Sequence, residues 1–166
     1  MESFYENMFM NIICCSSFLW NIKWQISELE VIMKIDKYGN EKIINFYIIN
    51  GLEFDESKKY FGTNVRTFAL IEDEKIIGAI SISIYKCKSF IEALAVDKKY
   101  RNKGYGKLLI QKAIDELVKP IYAISRENEF YLKNDFVFSN EDLIGKDCKR
   151  CNKYNVTCFP KVVVYK

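Results

Sequence analysis

A chain of 166 residues that is 49% hydrophobic and 15% aromatic carries enough apolar material for one core, and its length fits a single domain. Its 7 glycines and 2 prolines leave no linker, repeat or low-complexity stretch, and its net charge of +3 is scattered without the Lys/Arg run of a nucleic-acid face. Histidine is absent, which removes the commonest general base, the usual metal ligand and every Ser-His or Cys-His nucleophilic pair.

Residues 1–29 read as an N-terminal extension of unclear role. The stretch from Met8 to Trp20 is apolar but short for a membrane span and holds Asn11, Ser16 and Ser17, while Glu2 and Glu6 stand where a signal peptide carries positive charge. The expectation is a cytoplasmic protein with reduced thiols and no membrane partner, since a chain with its own core needs no disulfide framework. The domain itself is taken as residues 30–166. Its first strand is expected over Glu30–Ile35, followed by the turn signal Tyr38-Gly39-Asn40. A helix fits Glu41–Asn50, with Ile44, Tyr47 and Ile48 on one face and Gly51 as its stop. A second short helix fits Asp55–Phe61, closed by Gly62.

Arg66–Ile71 and Lys75–Tyr85 form the clearest hairpin, turning at Glu72-Asp73-Glu74; Ile80, Ile82 and Ile84 alternate with Ser81 and Ser83. Ser89–Val96 is more evenly apolar and is expected at the centre of the sheet. The run Lys107–Val118 carries Leu109, Ile110, Ala113, Ile114 and Leu117 at helical spacing, and Pro120 blocks its continuation. A strand over Ile121–Ser125, a short helix over Glu127–Asn134, and closing strands at Phe136–Phe138 and Lys161–Tyr165 complete the pattern. The order predicts an α/β sandwich with a mixed sheet.

Between the central strand and the amphipathic helix lies Arg101-Asn102-Lys103-Gly104-Tyr105-Gly106. Two glycines spaced one apart allow a tight turn that exposes successive N–H groups, and the following helix adds the positive end of its dipole, so an anionic ligand is expected. A dinucleotide fingerprint would need glycine at Leu109, and a P-loop would need Ser or Thr at Leu108, so neither applies. What remains, Arg-x-x-Gly-x-Gly after Leu94-Ala95-Val96-Asp97, resembles the acetyl-CoA pyrophosphate loop of the GNAT superfamily of N-acetyltransferases. Phe130-Tyr131-Leu132-Lys133-Asn134-Asp135-Phe136 resembles that family's Phe-Tyr-x-Lys-x-Gly-Phe segment, and the similarity spans roughly residues 30–166.

The resemblance implies a GNAT-like mixed sheet of six to seven strands flanked by helices, with a splayed central strand pair that admits the thioester. It implies acetyl-CoA as co-substrate and direct attack by the primary amine of a small-molecule or peptide acceptor. Main-chain groups of Leu94, Ala95 and Val96 would meet the pantetheine arm. Arg101, Asn102, Lys103, Gly104, Tyr105, Gly106 and Lys107 would hold the diphosphate, with Arg101, Lys103 and Lys107 adding positive potential. Tyr131 would be the general acid, a phenol whose reference pKa near 10 suits a thiolate leaving group. Asp135 departs from the family's glycine, although Asp tolerates a left-handed backbone if the turn needs one.

Glu92, two residues before Leu94 and on its side of the strand unless a bulge intervenes, is the candidate base; a salt-bridged or edge glutamate explains it equally. Glu53, Asp55 and Glu56 could attract a cationic amine or form a solvated acidic turn. Cys148-Lys149-Arg150-Cys151 with Cys158 has spacing that would suit zinc, a thiol cluster or plain reduced cysteines, and no metal is assigned. A non-catalytic acyl-CoA-binding module and a thiol- or zinc-containing sensor are the alternatives. A sheet edge near the C-terminus could pair two copies in a homodimer.

Overall fold

The computed structural model describes residues 23–26, 29–36, 41–53, 65–85 and 88–166. The expected helix over Asp55–Phe61 lies outside them, as do Asp55, Glu56, Cys14, Cys15 and Cys87. Among the described residues eight strands form one sheet: β1 (Lys23–Ile26), β2 (Leu29–Asp36), β3 (Val65–Glu72), β4 (Lys75–Tyr85), β5 (Lys88–Val96), β6 (Ile121–Ser125), β7 (Val137–Phe138) and β8 (Lys161–Tyr165). Their spatial order is β1-β2-β3-β4-β5-β6-β8-β7. This is one strand beyond the expected upper count, because Lys23–Ile26 pairs antiparallel with β2 inside the stretch that sequence left unassigned.

The hairpin between β3 and β4 turns on Asp73 and Glu74, both at positive φ, so the connection has the twist that suits antiparallel strands. β5 lies fifth in the order and runs antiparallel to β4, as its apolar sequence suggested. β5 and β6 are parallel, joined through helix α2 (Tyr105–Glu116), and the remaining pairs of β6, β8 and β7 are antiparallel. The other helices are α1 (Glu41–Ile49), α3 (Asn128–Leu132) and α4 (Lys146–Arg150), the last unforeseen.

The two faces of the sheet are packed differently. Toward α2 and α3 they present Phe68, Leu70, Ile80, Ile82 and Ile91, which close with Leu109, Ile110 and Phe136 into the larger core. Toward α1 the same strands present Ala69, Ala79, Ala93 and Ala95, small enough to let the helix lie close. The serines alternating with Ile80 and Ile82 are therefore covered rather than wet: Ser81 and Ser83 are buried, as is Thr67. Ile84, expected with the buried isoleucines, is half-exposed near the strand end.

The face that α1 buries differs from the expected one. Ile43, Phe46, Tyr47 and Asn50 point inward, whereas Ile48 is 43% exposed and Ile44 only partly covered. Six apolar side chains crowd this helix, so periodicity permits more than one face. The choice falls to Tyr47, whose hydroxyl meets Ser81 Oγ at 2.9 Å, with Ser81 Oγ also 2.7 Å from Thr67 Oγ1.

Candidate active site

The site is built where β5 and β6 part. They pair only at Ser89–Ile121, Phe90–Tyr122 and Ile91–Ala123, and β5 then runs on to Val96 beside β4 alone. The cause is visible in the register with β4: Ser81 faces Ala93 and Ile82 faces Ile91, so Glu92 is an extra residue, a β-bulge. A bulge bends its strand and raises the local twist, which carries β5 away from β6. Leu94, Ala95 and Val96 thus border the opening with their β6-side main chain unpaired to that strand.

The bulge also decides where Glu92 points. It is exposed and accepts a hydrogen bond from Ser83 Oγ, on the α1 face that Ala93 shares, whereas Leu94 packs on the α2 side. The expected shared side of Glu92 and Leu94 is lost because one added residue reverses the alternation.

At the end of β5, Asp97 anchors the loop: its N–H donates to Ile77 O at 2.9 Å and its carboxylate accepts from Lys99 N at 2.8 Å, capping a short 3-10 turn over Lys98–Tyr100. Tyr100 donates to Glu72, which pushes its hydroxyl up to about 12, and Lys103 Nζ lies 5.2 Å over the Tyr100 ring. Asn102 and Gly104 both take positive φ, 63° and 87°, so the chain coils into a concave turn before α2. A side chain at Gly104 would meet no atom but would strain that backbone.

α2 begins two residues earlier than its apolar periodicity suggested, at Tyr105, and its first internal bond runs from Leu108 N to Gly104 O at 3.0 Å. The amides of Tyr105, Gly106 and Lys107 precede any intrahelical acceptor and project from the positive end of the helix. Asn102, Lys103, Gly104 and Lys107 are exposed, while the Tyr105 side chain is buried in the core, so only its main chain faces outward. The Arg101 guanidinium turns back instead of out: Nε donates to Val96 O at 3.0 Å and Nη2 reaches Asn50 O at 3.5 Å. It clamps the loop to the end of β5 and to the end of α1.

Gly106 owes its identity to a neighbour rather than to φ. A Cβ there would come within 2.9 Å of Phe130 Cε2, so α3 rests directly on the first turn of α2. Tyr131, next along α3, is 7% exposed and packs edge-on against Phe130 and Phe136, with centroids 5.4 and 5.2 Å away. Burial pushes its hydroxyl above the ordinary phenol range. Asp135 holds φ 66°, and Phe136 N and Asn134 N both return to Tyr131 O, so the turn that fixes Tyr131 survives without glycine. Tyr47 faces this region from α1: burial raises its hydroxyl, Ser81 opposes the rise, and the nearby Tyr131 adds to it.

The far rim is ionic. Arg126, just after β6, donates to Gly51 O at 3.1 Å, and Glu53 lies 3.8 Å from Arg126 and 2.9 Å from Lys153. Its carboxylate, held below its ordinary value by the Lys153 hydrogen bond, is already engaged by two cations. Residues 50–53 are thereby tied from the β5 side by Arg101 and from the β6 side by Arg126. Of the cysteines, Cys148 and Cys158 are half-buried and Cys151 exposed, all as free thiols. Among the described residues no three Cys, Asp or Glu side chains are gathered so as to hold a metal ion, so the zinc spacing is not matched by geometry.

Sequence reading missed Tyr47, Ser83, Tyr100, Arg126 and Lys153 as parts of this region. Only the Asp97 cap had a local signal, an aspartate ahead of a turn; the others are brought in by tertiary contacts.

A mixed α/β sheet that opens between two parallel strands, with a helix N-terminus at the mouth, defines an acyltransferase-type fold. Residues 27–136 match the Acetyltransferase (GNAT) family, and the chain belongs to that family. It is 26% identical over 128 residues to the uncharacterized N-acetyltransferase CT2212 of Chlorobaculum tepidum, covering 71% of this chain and 83% of that protein. Its fold is similar to the ribosomal-protein-S18-alanine N-acetyltransferase of Escherichia coli (TM-score 0.56, 16% identity, 80% of this chain and 91% of that one). It is also similar to Arabidopsis thaliana Naa50 in complex with a CoA-Ac-MVNAL bisubstrate analogue (TM-score 0.56, 18% identity, 81% and 98%). N-acetylglutamate synthase of Neisseria gonorrhoeae, complexed with coenzyme A and N-acetyl-glutamate, matches at TM-score 0.58 and 17% identity, over 80% of this chain but only 34% of that longer one. No helix among the described residues is long and apolar enough to cross a membrane.

Proposed function

We propose that the chain is an acetyl-CoA-dependent N-acetyltransferase that moves the acetyl group to a primary amine, of a small molecule or a peptide, by direct attack. The observation that carries this reading is the parting of β5 and β6 after Ile91, with the first amides of α2 at the mouth of the opening and α3, which carries Tyr131, resting on that turn. Acetyl-CoA, when bound, supplies the thioester carbonyl and the thiol leaving group. The residues present fit it: a concave left-handed turn, unpaired amides on a helix N-terminus, exposed Lys103 and Lys107, and an open strand edge.

In this reading the amides of Tyr105, Gly106 and Lys107 bind the diphosphate, with Asn102 and Gly104 shaping the turn and Arg101 bracing it. The main chain of Leu94, Ala95 and Val96 aligns the pantetheine arm, and an N–H beside the bulge polarises the acetyl oxygen. Glu92, wet and held by Ser83, takes the ammonium proton of the acceptor directly or through water. Tyr131 stays protonated in its apolar setting and gives its proton to the departing sulfur. The same setting raises the basicity of a thiolate, so donor and acceptor remain matched.

Thiol release from acetyl-CoA across a panel of amines tests the assignment. Tyr131→Phe is expected to lower turnover about 10²- to 10⁴-fold while acetyl-CoA affinity persists. Unchanged turnover removes Tyr131 from the mechanism. Binding without transfer to any amine, in the wild-type protein, favours the non-catalytic acyl-CoA module instead.

A further inference from the structure

Helix α4 carries Cys148, and the loop from α4 to β8 holds two more thiols, Cys151 and Cys158; acetyl transfer uses none of the three, and the loop is fastened to the rim of the opening. Lys153, in this loop, donates to Glu53 at 2.9 Å, and Glu53 is the last residue of the strap, residues 50–53, that Arg101 and Arg126 tie across the mouth. The loop is folded tightly on itself. Tyr154 N donates to Cys151 O at 3.0 Å and Asn155 N to Cys158 O at 2.8 Å; Tyr154 and Cys158 form a bridge, and Cys158 N donates to Lys153 O at 2.8 Å. Cys151 and Cys158 therefore both meet Tyr154 and bracket Lys153. Cys151 is the thiol open to solvent, while burial pushes the Cys148 thiol up and makes it the poorer nucleophile.

The geometry points to Cys151 and Cys158 as a peroxide-sensitive pair whose disulfide repositions Lys153 and loosens its hold on Glu53 at the mouth of the opening. Cys151 sulfur attacks hydrogen peroxide, the O–O bond breaks, and one water leaves as the sulfenic acid forms. Cys158 sulfur then attacks that sulfur, the S–S bond forms, the S–O bond breaks, and a second water leaves. Two electrons pass from the two thiols to the peroxide, and a dithiol reverses the change. A disulfide needs its Cβ atoms about 3.5–4.5 Å apart, and the bond from Cys158 N to Lys153 O ties Lys153 to any main-chain shift that closes this distance. The thiol chemistry is independent of the acetyltransferase reading; only the meaning of the rim as the acceptor side rests on it.

The test uses the full chain treated with hydrogen peroxide, alkylated and mapped by mass spectrometry. A peptide linking Cys151 to Cys158, with Cys148 alkylated and the link lost in dithiothreitol, is the expected result. In Cys158→Ser, a dimedone-reactive sulfenic acid should accumulate at Cys151. Oxidation confined to other cysteines, or a disulfide that includes Cys148, overturns the pairing. Amide exchange over Asn50–Glu53 should rise about threefold or more in oxidised wild type but not in oxidised Cys158→Ser. Unchanged exchange with the disulfide formed overturns the coupling. Neither measurement uses acetyl transfer, so failure of the enzyme assignment leaves a separate signature.

Discussion

Gly106 and Tyr131 show two ways in which one residue supports the site. At Gly106 an added methyl group would press on Phe130, so Gly106→Ala trades a gain in helix propensity against overpacking at the junction of α2 and α3. The net expected effect is a loss of about 1 kcal/mol in urea unfolding, together with weaker acetyl-CoA binding; a more stable variant would show that Phe130 moves freely. Tyr47 and Tyr131 make a second residue-scale prediction, because both hydroxyls are raised by burial. An unfolded tyrosine titrates near pH 10, so between that pH and the folded value the native state binds more protons than the unfolded one. Their contribution is fully present below about pH 10 and is lost as pH rises beyond it. The urea midpoint should fall from about pH 9 to about pH 11, less steeply in Tyr131→Phe; an equal slope in both proteins would contradict the burial of this phenol. At this scale the glycine turn and Asp135 were legible, because φ restrictions leave marks in single residues. Ser83 under Glu92 was not, because only a bulge brings the two together.

The elements differ in how plainly they were written. β4, β6 and β8 occupy the expected residues, and α1, β2, β3 and β5 shift by only a residue or so, since alternation and short apolar runs mark them directly. α2 starts inside the glycine segment because the helix requires only backbone there, and no apolar side chain announces it. The orientation of α1 was illegible for the opposite reason: too many apolar positions, resolved only by Tyr47 meeting Ser81. What joins these elements is Arg101, whose guanidinium spans the end of β5 and the end of α1. Arg101→Ala is expected to cost about 1 kcal/mol and to speed amide exchange in the loop over residues 97–104. Arg101→Lys should not restore it, because an ammonium cannot bridge both carbonyls in the geometry of a planar fork. Full protection in the lysine variant would mean that charge alone, and not the clamp, orders the loop.

For the molecule as a whole, the decisive feature is a sheet that is continuous from β1 to β7 except where β5 leaves β6. The parts around that opening, the bulge at Glu92, the first turn of α2 with α3 resting on it, and the strap of residues 50–53, come from separate stretches of chain. The sequence pattern carried the opening only through resemblance, since strand pairing is non-local and β5 alone reads as an ordinary buried strand. The central claim is that the turn through Asn102 and Gly104 captures the diphosphate of acetyl-CoA on the first amides of α2. Isothermal titration of acetyl-CoA into the wild-type protein and into Gly104→Val, with folding checked by circular dichroism, tests it most directly. The expected result is one-to-one uptake by wild type, competed by coenzyme A, and at least a tenfold weaker affinity in the variant, corresponding to about 1.4 kcal/mol. No heat from well-folded wild-type protein, or equal affinity in both, would contradict it.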